Sequence, residues 1–413
     1  KQLLLCFGYK DVVADKSMLS MASRLTAVRG SIEKIEKETI FQNSLRSVLV
    51  AGKQAYVFSS LQAELVARLV TKNIKANYRV RQSDRNTVVK NALSLLKEGG
   101  PYDVYRFDIK NFYENVDRKL IFEKLLNDAK CSWQTLCLIN DLFEYFEILD
   151  VKGLPRGLGV SAALSELALI EFDEKIKHKP EIFYYGRVVD DIMMITHEGL
   201  ICAEFEKRLS DDLLEGLEFH DGSKKNYLAI ARSRKEYSSD KYQSFDFLGY
   251  EFQIFNHNES SVKCRYGRRK LKVDISTSKV EKIKARLINS FCSYIASSRS
   301  VLDFSLLRKR VMALTGNYYI SDPISGIQIK TGVYYNYHEK NFTHECSLKK
   351  LDAFLHGLLF SGSHALSGRI ITAISVQQRR QLAGYSFLSG FRDIRFHSFT
   401  YQELKVIKEC WRK

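Results

Sequence analysis

Two adjacent aspartates, Asp190 and Asp191, lie inside the apolar run YYGRVVDDIMMIT. Burying one carboxylate is costly unless it is paired or metal-bound. Two side by side repel each other, and a divalent cation is what most readily keeps both ionised. The aromatic flank from Phe183 to Tyr185 and the aliphatic flank from Ile192 to Ile195 read as a hairpin in a protein interior. The competing reading is a turn with two solvated acids, which are common in turns.

A second acid has similar surroundings. In VYRFDIKNFYENV, residues Val104 to Ile109 have strand character and Asp108 stands near the C-terminal end. Phe112, Tyr113 and Asp117 follow, then a helical pattern at Leu120, Ile121, Leu125 and Leu126. Asp108 and Asp190 are far apart in the chain, so only a fold can unite them. Two central strands of an antiparallel sheet would do so, with the acids on adjoining tips. Two-metal phosphoryl transfer needs acidic ligands of this kind, holding ions roughly 3.5–4 Å apart.

Between the acids lies GLPRGLGVSAALSELALIEFDEKI. Gly153, Gly157 and Gly159 permit close backbone approach to a ligand or unusual dihedrals, and Pro155 fixes one angle. From Ser161 onward the apolar spacing predicts a long amphipathic helix. A glycine-rich turn feeding a helix N-terminus suits phosphates or a template backbone.

The elements that must carry these residues belong to a chain of 413 residues, enough for a large core and two or three domains. Lys and Arg number 64 against 48 Asp and Glu, a formal charge of +16. That balance fits a partner with a phosphate backbone, without choosing between DNA, RNA and a membrane surface. No stretch of about 18 apolar residues exists, so no membrane span is expected. The opening KQLLLCFGYKDVV has too short an apolar run for a signal peptide. Eight cysteines without a C-x-x-C pair argue against zinc and for reduced, mostly buried thiols.

Residues 1–100 read mainly as helices, with an apolar stripe at Leu61, Leu65 and Leu69. Arg79, Arg81 and Arg85 cluster before another helix, Val88 to Leu96, and form either a ligand site or a solvated basic face. Gly99, Gly100 and Pro101 break the chain before the central region. After it, SVKCRYGRRKLKV crowds Lys263, Arg265, Arg268, Arg269, Lys270 and Lys272 around Tyr266. Basic residues with an interleaved aromatic can track a nucleic-acid backbone and stack a base; a charged hairpin with no ligand is the alternative. Ser278 and Glu281 make a capping-box pattern for a helix from Lys279 to Ile295. The remainder reads as mostly helical, with a glycine- and tyrosine-rich segment, LTGNYYISDPISGIQIKTGVYYNY.

The order FDIKNFY, GLPRGLGVSAALSEL, VVDD resembles motifs A, B and C of reverse transcriptases. LEFHDGSKKNY resembles motif D, with Lys224 or Lys225 at its lysine, and FDFLGYEF the primer-grip hairpin of motif E. NYRVRQSDRNTVVKNALSLL resembles the basic fingers motif. RFDIKNFYENV, GLPRGLGVSAALSEL, GYSFLSGF and the closing CW are similar to bacterial defense-associated and abortive-infection reverse transcriptases, the unknown-group enzymes.

This resemblance implies an α+β right-hand polymerase. Fingers would span 1–100, a palm with an antiparallel sheet 101–256 (with a fingers insert at 118–150), and a helical thumb-like region 257–413. It implies an RNA-directed DNA polymerase in antiphage defense, cytoplasmic and free of membranes. Its partners would be deoxynucleotide triphosphates, a non-coding RNA template and the DNA product, with untemplated or protein-primed synthesis as variants. A homo-oligomer or a second defense protein is a further expected partner. Two Mg2+ ions, with Mn2+ able to substitute, would be held by Asp108, Asp190, Asp191 and the Ile109 carbonyl. Arg79, Arg81 and Arg85 would meet the triphosphate, and Lys224 would protonate the leaving pyrophosphate. Arg156 and Gly157 would lie near the incoming nucleotide, and Tyr113 at the sugar gate, unless it only packs. Lys263, Arg265, Tyr266, Arg268, Arg269 and Lys270 would bind nucleic acid. Two departures stand out: Val188 where motif C opens with tyrosine, and Arg156 where glutamine is usual. A guanidinium there can clasp a phosphate bidentately, or form a salt bridge, with Glu166 the expected partner. A retron or group II intron-type reverse transcriptase and a catalytically idle RNA-binding scaffold are the alternatives.

Overall fold

The computed structural model describes all residues except 51, 222–225, 233–240, 259–267, 322–327, 342–344, 363–364 and 412–413. The chain is mixed α and β and divides into two compact units: Lys1–Ser238 with Asn256–Arg269, and Ser239–Phe255 with Lys270–Lys413. Among the described residues no helix is long and apolar enough to cross a membrane.

The first unit opens with helices, as its apolar spacing predicts, but contains a hairpin the helical reading did not foresee. Strands β1 (Leu45–Val50) and β2 (Lys53–Phe58) pair antiparallel from Leu45↔Phe58 to Val50↔Lys53. Helix Leu61–Tyr78 follows, capped by Ser60 and ended by Arg79 in the left-handed region. It buries Ala63, Val66, Ala67, Val70 and Ile74, the three- and four-residue spacing of one helix face. Helix Arg85–Leu96 begins where Asp84 accepts the Thr87 N–H.

The central sheet is antiparallel, in the order β4-β5-β3-β6: β3 (Tyr102–Asp108), β4 (Ile182–Val188), β5 (Asp191–Thr196) and β6 (Asn226–Ile230). On one face Tyr105, Phe107, Ile192 and Met194 join the main core. Alternation puts Val104, Arg106 and Asp108 on the other face, beside Met193 and Asp191. The 118–150 insert is helical, as expected, in Arg118–Asp128 and Trp133–Ile148. The single long helix expected from Ser161 is instead two, Gly159–Ala168 and Ile170–Lys177, broken at Leu169.

A second sheet, most of whose residues belong to the second unit, is the hairpin of β7 (Tyr242–Phe247) and β8 (Tyr250–Asn258) with β9 (Arg269–Ile275) as third strand. Its two-residue turn, Leu248 and Gly249, has φ of +49° and +80°, the signs of a type I′ turn. The helices beyond pack around Leu287, Phe291, Leu307, Leu351 and Leu355. The first of them starts at Thr277 after Ser276, and Glu281 pairs with Lys284, so the expected Ser278 capping box does not form. The tyrosine-rich segment holds a strand pair, β10 (Asn317–Ser321) against β11 (Gln328–Gly332), with β12 (Phe396–His397) parallel to β10, and ends in a short helix, Val333–Tyr337. The seven described cysteines are all free, but only Cys6, Cys346 and Cys410 are buried, fewer than expected.

Candidate active site

Register decides where the acids meet. Asp108 on β3 lies directly across from Asp191 on β5. The Ile109 N–H donates to the Asp190 carbonyl at 3.2 Å, which makes Asp108↔Asp191 a non-hydrogen-bonded pair. In such pairs the Cα atoms stand about 4.5 Å apart and the side chains are closest. Like charges directly opposite each other are destabilising. On the other side of β3, the Asp108 carbonyl accepts the His220 N–H at 2.7 Å. The tip of β3 is thus pinned from both neighbours.

Asp190 is not a strand residue. With Val189 it forms the two-residue turn between β4 and β5. Val189 has φ +60°, a conformation that a β-branched residue rarely takes and that usually falls to glycine in such turns. Outliers of this kind cost about 1–3 kcal/mol and need surrounding structure to hold them.

That structure is Arg187, which sequence reasoning missed. Its buried guanidinium donates to Asp173 (2.8 and 2.6 Å), to Glu166 (2.9 Å) and, through Nη1, to the Val189 carbonyl at 2.9 Å. Tyr185 donates to the same Asp173. These acids hold the Arg187 cation well above its ordinary range against the opposing effect of burial. A signal was available in the sequence: a charge inside an apolar strand next to the acids must have a buried partner.

Electrostatics tie the acids together. Burial raises the Asp190 carboxyl above its usual range, the charges of Asp108 and Asp191 push the same way, and Arg156 opposes them. Mutual repulsion of this kind is what a divalent cation relieves, and the donors are hard oxygens suited to magnesium. Among the described residues, however, no three acidic, histidine or cysteine groups are gathered as an ion site. Asp191 instead pairs with Arg106 at 3.4 Å.

Tyr113 and Arg156 join this cluster. Burial raises the Tyr113 hydroxyl, a hydrogen bond with Ser165 opposes that, and the charge of Asp190 adds to the rise. The Arg156 guanidinium lies 5.3 Å from the Tyr113 ring centre. Its fork is taken by Glu114, at 2.7 and 3.0 Å. The expected partner was Glu166; that residue is committed to Arg187, and Arg156 reaches Glu114 because the glycine loop folds back onto the turn carrying Tyr113. A Cβ at Gly153 would strike the Tyr113 and Glu114 carbonyls, and one at Gly157, where φ is +96°, would strike the Tyr56 carbonyl. Tyr56 in turn donates its N–H to the Arg156 carbonyl at 2.7 Å. The close approach these glycines permit is to the chain's own backbone.

Arg79 and Arg81 are exposed in the loop before helix Arg85–Leu96, and Arg85 is half-buried. That helix packs on β4, where the Tyr184 hydroxyl donates to the Val88 carbonyl. Lys224, Lys263, Arg265 and Tyr266 lie outside the described residues. Arg268 is exposed, and Lys270 stands 4.7 Å from the Phe255 ring centre. Arg269 departs from expectation. It is 0% exposed and donates to the Glu98, Gly100 and Ala231 carbonyls and to Asn256. It ties loops together and offers no surface to a nucleic acid.

No protein-family model matches the sequence, and no curated protein does. Among solved structures, a telomerase from Candida albicans in complex with a TWJ fragment of telomeric RNA matches with a TM-score of 0.35 at 10% identity. The match takes in 93% of this chain and 65% of the telomerase chain. Likeness at that level decides neither fold nor function.

Proposed function

We propose that this chain is a reverse-transcriptase-type DNA polymerase acting in antiphage defense on a non-coding RNA template. The observation that carries the reading is the cross-strand pair Asp108 and Asp191, with Asp190 in the adjoining turn. Asp108, Asp190 and the Ile109 carbonyl would hold two magnesium ions, with Asp191 assisting. Bound there, the ions would supply charge neutralisation at the attacking hydroxyl and at the pyrophosphate. The primer hydroxyl attacks the α-phosphate in line; the new phosphodiester bond forms as the bond to pyrophosphate breaks. Most of the rate comes from positioning and electrostatics.

The protein's own residues have defined parts. Arg187 keeps the Val189 carbonyl, and so the Asp190 turn, in place. The Arg156–Glu114 fork stiffens the glycine loop beside Tyr113, whose ring would exclude a ribose 2′-hydroxyl. Arg79, Arg81 and Arg85 would take the triphosphate, and Lys224 would return a proton to the pyrophosphate.

The test is deoxynucleotide incorporation by purified protein with magnesium, and sequencing of the nucleic acid it carries. Asp190→Asn and Asp108→Asn should each abolish incorporation; incorporation that survives both refutes the site. The idle-scaffold reading has one observation of its own, the Arg106–Asp191 ion pair, which neutralises the strand carboxylate without a metal. RNA binding with no incorporation under any divalent ion would favour that reading.

A further inference from the structure

The second unit holds a cavity of about 400 Å³ that the polymerase reading does not use. It is lined by Arg286, Tyr318, Tyr337, Lys408 and Trp411, among others. It draws on two features with no role so far, the tyrosine-rich segment and the closing Cys-Trp. Arg286 comes from helix Thr277–Ile295, Tyr318 from β10, and Lys408 from helix Tyr401–Glu409.

The charge balance of this cavity is unusual. The Arg286 guanidinium lies 5.6 Å from the Trp411 ring centre, and its Nε is buried without a hydrogen-bond partner. Among the described residues it makes no ion pair. Burial raises the Tyr318 hydroxyl, and the Arg286 charge pulls it back. The Lys408 ammonium stands 5.4 Å from the Tyr318 ring centre. The indole is itself anchored, donating from Nε1 to Ser290 at 2.9 Å. A buried polar group without a partner is costly, so this guanidinium keeps hydrogen-bonding capacity that the described residues leave unused.

We propose that this cavity is a second nucleotide site, separate from the catalytic one. Its aromatic walls suit a base and its two cations suit a phosphate, a pairing also found in single-strand binding sites. Its volume lies in the range of small-ligand pockets. The chemistry is that of one nucleotide unit, supplied either as a free nucleotide or by a single strand. It does not depend on polymerase activity in the first unit.

The chain has two tryptophans, Trp133 and Trp411. Trp133 is exposed, at 73%, and belongs to the first unit. A Trp133→Phe protein therefore reports from Trp411 alone. Titration with ATP or with a 5′-phosphorylated oligothymidine should quench that fluorescence saturably. Quenching by ATP identifies the free nucleotide as ligand, and quenching by the oligonucleotide alone identifies the strand. Arg286→Ala should move the midpoint about tenfold or more, the worth of one charge-assisted hydrogen bond. Asp190→Asn should leave it unchanged, so this site and the catalytic reading fail separately. Because Arg286→Ala also removes a packed side chain, photolabelling of the unsubstituted protein with 8-azido-ATP and an azido-tagged oligonucleotide is the second measurement; the label should fall on peptides carrying Tyr337 or Trp411. No quench by either probe up to about 1 mM, or label only in the first unit, overturns the proposal.

Discussion

Replacing Arg187 by methionine tests the account of how the acids are aimed. The side chain is 6% exposed and makes four hydrogen bonds, three to carboxylate oxygens and one to the Val189 carbonyl. Methionine fills a similar volume but leaves Glu166 and Asp173 without their cation, and Glu166 is itself buried. Removing one partner from a buried ion pair costs about 3–5 kcal/mol. A unit of this size loses about 2–4 °C of Tm per kcal/mol, so the melting transition should fall by about 6–20 °C. Thermal and urea unfolding read this directly. Adding Glu166→Gln and Asp173→Asn to Arg187→Met should recover much of the loss, because neutral polar groups are cheaper to bury than bare charges. In the recovered variant the Val189 carbonyl still lacks its donor, so incorporation should stay depressed although the fold is restored. A loss below about 1 kcal/mol for Arg187→Met would refute the reasoning, since the network would then behave as a solvated surface pair.

Four further outcomes follow, three of them from the same site. The Asp190 carboxyl is raised above 3.8, first by burial, so its contribution to stability is complete below that pH and is lost as pH rises through the raised value; Asp190→Asn should stabilise the protein at neutral pH, with the gain shrinking in acid, and a gain that grows in acid contradicts the sign. Magnesium should raise the melting temperature of the unsubstituted protein and not of a combined Asp108→Asn, Asp190→Asn variant. Val189→Gly should stabilise the hairpin by about 1 kcal/mol in urea unfolding, since relief of the positive φ exceeds the added chain entropy of glycine; a net loss of that size would show the turn to be unstrained. Arg269→Met should cost about 3 kcal/mol of stability yet leave RNA affinity in a filter-binding titration unaltered, whereas Arg268→Ala should weaken it.

Much of the site was legible because its residues break local rules. Carboxylates in apolar surroundings at Asp108, Asp190 and Asp191 announce themselves by cost, and glycines at 153 and 157 mark a tight loop. The hairpin around the paired acids and the helix read over Val88 to Leu96 follow from short-range patterning, although the helix starts one turn earlier, at Arg85. The β1–β2 hairpin was not legible, because Leu45–Val50 is mostly exposed and neither it nor Lys53–Phe58 carries a clean alternation. Arg269 misled because a run of basic residues looks solvated, and only tertiary contacts show one of them enclosed by carbonyl groups.

Local residue chemistry, by itself, determined which groups on this chain are expensive to bury and which backbone positions must bend. It could not choose their partners. That Asp191, not Asp190, faces Asp108, that Arg156 meets Glu114, and that Arg187 carries both Asp173 and Glu166 depend on strand register and on contacts between segments far apart in the chain. A one-residue slip of β5 would turn Asp191 to the opposite face of the sheet. Local propensity does not contain that choice; the packing of Phe107, Ile192 and Met194 into the core makes it.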